Sequence, residues 1–213
     1  MNVLKPQKLI LNNLENIDDL LKAIKEKEEL ENIIIEEYEK NNIEFSNISI
    51  KKAIINNLSI MNSNLEKNSF MDVEFNNCNF SNTVFDNSSF IRCRFNNCKL
   101  TGCNFIESIL FDIGCIDTNM NYSNLSMCDL KNILFEKVGL RNSNFQEDKT
   151  KNIIFKEVDL TQTQFFKTSL KGIDLSESTI EGISISIEDI KGAIINQFQS
   201  IDLLYLLGVK VKL

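Results

Sequence analysis

From Phe45 to Ile185 every fifth residue is large and apolar, and few folds can accommodate that rhythm. The series opens Phe45, Ile50, Ile55, Ile60, Leu65, Phe70, Phe75, Phe80, Phe85, Phe90, Phe95, Leu100, Phe105, and it continues through Phe135, Phe145, Phe155 and Phe165 to Ile180 and Ile185. Of its 29 positions only Thr150 is polar and only Cys115 is small. It takes 12 of the chain's 15 Phe, where an even scatter over five registers would place about three. On a helix, a five-residue step turns the side chain by about 140°, so the apolar groups would wrap all round. On a flat strand an odd period sends successive Phe to opposite faces. The pattern survives only if the chain turns every five residues and points the same position inward each time. Phe75, Phe80, Phe85, Phe95, Phe105, Phe135 and Phe155 are then expected to line one core.

A second register supports the turns. Two residues before each large one stand Ala53, Leu58, Ser63, Asn68, Val73, Cys78, Thr83, Ser88, Cys93, Cys98, Cys103, Ser108, Ile113, Thr118, Ser123 and Cys128. These are mostly small and weakly polar, as a cramped inward site requires. Asparagine is the complement: of the 21 Asn between residues 45 and 185, only Asn68 falls in either inward register. Asn tolerates turn conformations and hydrogen-bonds nearby backbone, which suits the corners. Two ladders, Asn56–Asn76–Asn96 and Asn57–Asn77–Asn97, point to a 20-residue coil. The one disturbance is NFQEDKTKN, where Asp148 and Thr150 occupy inward positions. That rung is expected to bulge outward, which would offer Glu147 and Asp148 to a partner.

Composition narrows the chemistry. The chain has no His, which removes every Ser-His-Asp and Cys-His nucleophile, imidazole metal ligands and a histidine general base. Cys78, Cys93, Cys98, Cys103 and Cys128 all take the small inward position and Cys115 a large one, so they read as packing groups. No CxxC pair or His partner suggests zinc, and a reducing cytoplasm disfavours bridges. Cys78 and Cys98, one coil apart, are the pair to watch for oxidation. No apolar run approaches the ~20 residues of a membrane span, and no secretory signal is recognisable. With 30 acidic and 23 basic residues the net charge is −7, which argues against a dedicated nucleic-acid binder. A cytoplasmic protein without enzymatic activity, cofactor or metal is expected.

Segments such as CNFSN, CRFNN, CKLTG, CNFIE and VDLTQ resemble the A(D/N)LXX motif of pentapeptide-repeat proteins. The resemblance implies an all-β fold, a right-handed quadrilateral parallel β-helix over residues 41–187, with four pentapeptides to each coil. About seven coils at one strand spacing of ~4.8 Å would stand roughly 34 Å tall. The unbroken register implies no long loop on any side.

The two ends read differently. Residues 1–40 are acidic and ambiguous: Leu14, Ile17, Leu21 and Ile24 have helical spacing, while ELENIIIEEYEKNNIEF could be a first, imperfect coil. Residues 188–213 are read as a cap. Asn196 with Gln199 resembles a capping box and Gly208 a helix C-cap, giving a short α-helix over about 197–207 and a strand over 209–213. Phe198, Ile201, Leu203, Leu204 and Leu207 cover more than one helix face, so dimerisation is the expected use of the excess.

The ending EDIKGAIINQFQ…LLYLLGVKVKL is similar to that of the quinolone-resistance (Qnr) and MfpA-type pentapeptide-repeat proteins, and this implies a partner. Members of that group form homodimers, imitate a DNA duplex, bind DNA gyrase and topoisomerase IV, and protect them from fluoroquinolones. A scaffold for an unrelated protein is the alternative. Residues 41–186 carry 17 acids and 14 bases, whereas ~34 Å of duplex carries about 20 charges. Net charge alone therefore cannot imitate DNA, but single faces do better. One acidic face holds Glu44, Glu66, Asp86, Glu107 and Glu147 against Lys67 and Lys167. A second holds Glu74, Asp117, Glu136, Glu157, Asp174 and Glu177 against Arg94, Lys137 and Lys156. A basic face with Lys51, Lys52 and Arg92 lies between them, and the fourth is neutral. Either acidic face is a candidate contact for the partner, with no direct role for nucleic acid or membrane.

Overall fold

The computed structural model describes residues 15–16 and 19–209. Its strands are β1 (Glu15–Asn16), β2 (Glu29–Ile35), β3 (Tyr38–Glu39), β4 (Ser49–Asn56), β5 (Leu58–Ser59), β6 (Ser69–Asn76), β7 (Ser89–Ile91), β8 (Arg94–Asn96), β9 (Ile109–Ile116), β10 (Asp129–Glu136) and β11 (Lys149–Lys156). One parallel sheet takes β1, β2, β4 and β6, then β7 and β8 together, then β9, β10 and β11. β1 pairs with β2 at an offset of 18 residues, and from β2 onward partners stand 20 residues apart: Ile55 faces Phe75, Phe75 faces Phe95, and Phe135 faces Phe155. The other two sides are held by the β3–β5 pair and single bridges, such as Asn79–Lys99–Asn119 and Val84–Asn104–Asn124. Each coil thus has four sides, named here by one coil's inward residues as the Leu65, Phe70, Phe75 and Phe80 faces.

The corners explain the five-residue beat. From Asn32 to Lys167, 26 non-glycine residues have positive φ, and all stand two places after a large inward position. Thr83 N–H closes a four-residue turn on Phe80 O at 3.0 Å, with Asn82 at φ 58° in its third place, the pattern of a type II turn. Asn and Asp enter this left-handed region more readily than other side chains. Half of the outward asparagines, among them Asn57, Asn77 and Asn97, stand there, while the Asn56–Asn76–Asn96 ladder does not.

Inside, the rings pack two ways. Vertically they stack, Phe70 on Phe90 and Phe75 on Phe95 at 4.8 Å. Around a coil they meet edge to face, Phe75 with Phe80 at 5.6 Å and Phe80 with Phe85 at 5.5 Å. Both arrangements suit the ring quadrupole. All seven core Phe expected from the sequence are buried, whereas Phe45 at the start of the series is half-buried. Cys115 fills its large position without exposure, and Arg94 lies over Gly114, where a Cβ would meet its Nη1 at 3.0 Å.

The rod is longer than residues 41–187. Leu30, Ile33 and Ile35 are buried against Ile50, Ala53 and Ile55, so residues 29–48 form the imperfect coil. A bridge from Asp174 to Ile194 extends the other end. The acidic N-terminal segment also holds a helix, α1 (Leu20–Glu26), capped by Asp19 and burying Leu20 and Ile24. Leu21 is half-buried, and Leu14 and Ile17 lie outside the described residues.

The expected bulge at Asp148 is absent. β11 keeps full register with β10, Asp148 is buried, and Thr150 turns its hydroxyl to Ser169 O. An aspartate fits inside because its Oδ1 accepts the Cys128 N–H at 2.8 Å and its own N–H reaches Thr168 Oγ1 at 3.0 Å. Glu147 is exposed on an ordinary corner.

At the C-terminal end, α2 (Ile187–Ile190) leads to α3 (Gln199–Leu203) and a 3-10 turn over Leu204–Leu207. The cap is thus one short helix and a tighter turn, divided where Leu203 (φ −99°, ψ −6°) leaves regular α-helical dihedrals and Leu204 (φ −62°, ψ −24°) takes 3-10 values. Gly208 closes it at φ 67°. Val209 is not in a strand, and residues 210–213 of the expected strand lie outside the described part.

Candidate protein-binding surfaces

The Leu65 face brings Glu44, Glu66, Asp86, Glu107 and Glu147 to one side, and two of these five acids are held in ion pairs. Glu66 pairs with Lys67 at 3.2 Å and Glu147 with Lys167 at 2.8 Å. The Lys167 ammonium holds the Glu147 carboxyl below its ordinary range. Asp86 is half-buried, accepts the Ile106 N–H at 2.9 Å, and is pushed up by that burial.

The Phe75 face keeps more. Glu74, Asp117, Glu136, Glu157, Asp174 and Glu177 share it, and Glu136 is paired with Lys156. The coil that sequence reading left ambiguous adds Glu36 and Glu37 to the same side, both exposed. Glu36 also starts the asparagine ladder: Asn56 donates to it at 3.0 Å, Asn76 to Asn56 at 2.9 Å, and Asn96 to Asn76 at 2.9 Å. Asp117, Glu157, Asp174 and Glu177 are exposed on corners and edges of this face.

The same coil weakens the basic Phe70 face. Glu29 and Glu31 bind Lys51 and Lys52 at 2.6 Å each, and Arg92 grips Asp72 through two nitrogens at 2.6 and 2.7 Å. Sequence reading missed Glu29, Glu31, Glu36 and Glu37 because it placed the rod's start at residue 41. The strand periodicity of ELENIII was the signal.

The C-terminal cap offers an apolar surface. Gln199 is buried, donating to Leu175 O at 2.8 Å and Ser178 O at 2.6 Å, so it plugs the last coil. Asn196 and Gln199 exchange bonds as a capping box, Asn196 N–H to Gln199 Oε1 at 2.8 Å and Gln199 N–H to Asn196 Oδ1 at 3.1 Å. Phe198 is 75% exposed, Leu207 67% and Ile201 58%. The expected dimer set is split, because Leu203 turns inward onto the core and Leu204 is half-buried. Tyr205, which donates its hydroxyl to Ile183 O, and Ile194 are exposed instead.

All six Cys are free and buried. Burial pushes Cys93 and Cys103 up to about 12. Cys78 and Cys98 lie one coil apart, each thiol donating to a main-chain carbonyl at 3.4 Å, Cys78 to Ile55 O and Cys98 to Phe75 O. The neighbouring Cys98 thiol together with burial pushes Cys78 up. Among the described residues no cluster of His, Cys, Asp or Glu is placed to hold a metal ion, and no helix is long and apolar enough to cross a membrane.

A family model described as a pentapeptide repeat region matches residues 68–145 and 88–165. This part of the chain is a pentapeptide repeat. The repeat rod is similar in fold to a trypsin-treated variant of QnrB1, a plasmid-mediated fluoroquinolone resistance protein. That match has 18% identity and a TM-score of 0.42, over 86% of this chain and 90% of the other. HetL, a pentapeptide repeat protein involved in heterocyst differentiation regulation from the cyanobacterium Nostoc sp. strain PCC 7120, matches at 12% identity and TM-score 0.26, over 86% and 98%. A pentapeptide repeat protein of the Arabidopsis thaliana thylakoid lumen matches at 16% and 0.36, over 40% and 63%. At such identities and scores the likeness carries nothing about function. No curated protein is significantly similar to the chain in sequence.

Proposed function

We propose that this repeat rod is a non-enzymatic, cytoplasmic binding protein whose acidic Phe75 face occupies the DNA-binding groove of a bacterial type II topoisomerase, DNA gyrase or topoisomerase IV, and shields it from fluoroquinolones. The observation that carries the reading is that Glu36, Glu37, Asp117, Glu157, Asp174 and Glu177 are all exposed on one side of the parallel stack. These acids fall in two groups, Glu36 and Glu37 at the start of the rod and Asp117, Glu157, Asp174 and Glu177 in its second half. Such clusters on one side can meet a groove lined with basic groups, as a duplex does. The Leu65 face is the poorer candidate because two of its five acids, Glu66 and Glu147, are paired with Lys67 and Lys167. The first coil adds Glu36 and Glu37 to the Phe75 face, whose acids outweigh its Arg94, Lys137 and Lys156. Two rods joined at the caps through Phe198, Ile201, Tyr205 and Leu207 would form a homodimer and cover the apolar surface.

Gyrase supercoiling in the presence of ciprofloxacin tests the reading. Low-micromolar protein should restore supercoiling, and a Glu157→Lys/Asp174→Lys/Glu177→Lys variant should not. A rod that neither binds the enzyme nor restores activity overturns it. A scaffold for an unrelated protein partner is the second reading, favoured by the ion pairs of Glu66, Glu136 and Glu147, which reduce the acidic faces further below duplex charge.

A further inference from the structure

The inner corner column next to the Leu65 face follows one bonding rule. Its members stand 20 residues apart: Asn68, Ser88, Ser108, Cys128, Asp148 and Thr168. Each oxygen-bearing member up to Asp148 accepts a main-chain N–H from the coil before: Asn68 from Ile48 at 2.8 Å, Ser88 from Asn68 at 3.1 Å, Ser108 from Ser88 at 3.0 Å, Asp148 from Cys128 at 2.8 Å. The four members before Asp148 also donate to the carbonyl 23 residues back: Asn68 to Phe45 at 3.2 Å, Ser88 to Leu65 at 3.4 Å, Ser108 to Phe85 at 2.9 Å, Cys128 to Phe105 at 2.9 Å. The site therefore asks its side chain for one acceptor and one donor. Asp148 supplies the acceptor through Oδ1, while Oδ2 is buried without a partner. The carbonyl that the register sets opposite Oδ2 is that of Leu125. An ionised carboxylate would turn a second negative oxygen towards it in a dry interior.

We propose that Asp148 is a built-in protonation switch of the rod: a neutral carboxylic acid that donates from Oδ2 to Leu125 O, in the role that Cys and Ser play one and two coils earlier, and that loosens this coil when it ionises. Burial pushes its carboxyl up to about 8, opposed by the Cys128 N–H bond. The groups packed against it are the Cys128 thiol from the coil before, itself pushed up, and the uncharged Thr168 from the coil after. The flanking Glu147 and Lys149 are exposed, Glu147 is tied to Lys167, and Asp189 accepts the Lys167 N–H.

The sign follows from linkage. The folded acid titrates above the unfolded value of ~3.9, so its contribution is complete below that value and is lost as pH rises towards about 8. Over that window the folding constant falls about tenfold per pH unit from this residue. Asp148→Asn copies Asn68 of the same column, with a donor and an acceptor that do not ionise. Equilibrium urea unfolding of the full chain at pH 5, 7 and 9 tests the proposal. The variant should gain on wild type by about 100-fold in folding constant between pH 5 and 7. A wild-type-to-variant difference independent of pH overturns it. Carbon-13 titration of the wild-type Asp148 carboxyl, which needs no variant to fold, should show a protonated acid at pH 6, and titration near 4 overturns it as well.

Discussion

The two ends of the rod solve one problem in opposite ways. A solenoid exposes raw core wherever its coils stop, so each end needs a cover. At the N-terminal end α1 lays Leu20 and Ile24 onto the first coil at 2% and 8% exposure, and Asp19 accepts the Lys22 N–H at 3.1 Å. Its described apolar residues are largely used up. At the C-terminal end the polar side chain of Gln199 plugs the coil with Leu203 and Leu206 packed against the core, while Phe198, Ile201 and Leu207 face outward. One end is finished by its own chain, and the other carries surface that a second molecule can bury.

The largest effect that separates the ends is expected at Leu20. Leu20→Ala should cost about 3 kcal/mol in urea unfolding, with no change in oligomeric state by sedimentation. Gln199→Ala comes next, at about 2 kcal/mol, because the carbonyls of Leu175 and Ser178 and the N–H of Asn196 lose their partner together. Asp19→Ala removes one cap bond and should cost about 1 kcal/mol. Ile201→Asp should change protomer stability by less than about 0.5 kcal/mol, since the side chain is exposed. It should nevertheless turn a sedimenting dimer into a monomer. A wild type that sediments as a monomer would remove the distinction between the ends.

How much of this was legible in the sequence depends on what one residue letter can say. The Phe and Leu of the inward beat reveal the core because bulk and apolarity admit no other reading. The corner conformation is hidden, because Lys52, Arg92, Tyr122 and Met127 stand at the same left-handed position as Asn57 and Asn77. The coil over residues 29–48 escapes the count since Glu28 and Lys40 occupy inward beats yet are exposed near the rod's end. Asp148 reads as a bulge on polarity alone, because a letter does not state whether a carboxyl is ionised. In the cap, five apolar residues from Leu203 to Leu207 without a turn signal conceal that Leu203 packs inward while Leu207 does not. Gln199 supplied only half its message, the capping box, and not the plug. The acidic faces were visible by position, but their ranking needed Lys67, Lys156 and Lys167 placed against their partners.

The claim on which function turns is that the Phe75 face stands in for a duplex. Binding of the purified protein to gyrase, measured with and without competing duplex DNA, tests it most directly. The account predicts binding that duplex DNA displaces, lost in the Glu157→Lys/Asp174→Lys/Glu177→Lys variant and retained in Glu66→Lys/Glu147→Lys. Binding indifferent to DNA, or lost only in the second variant, would contradict it.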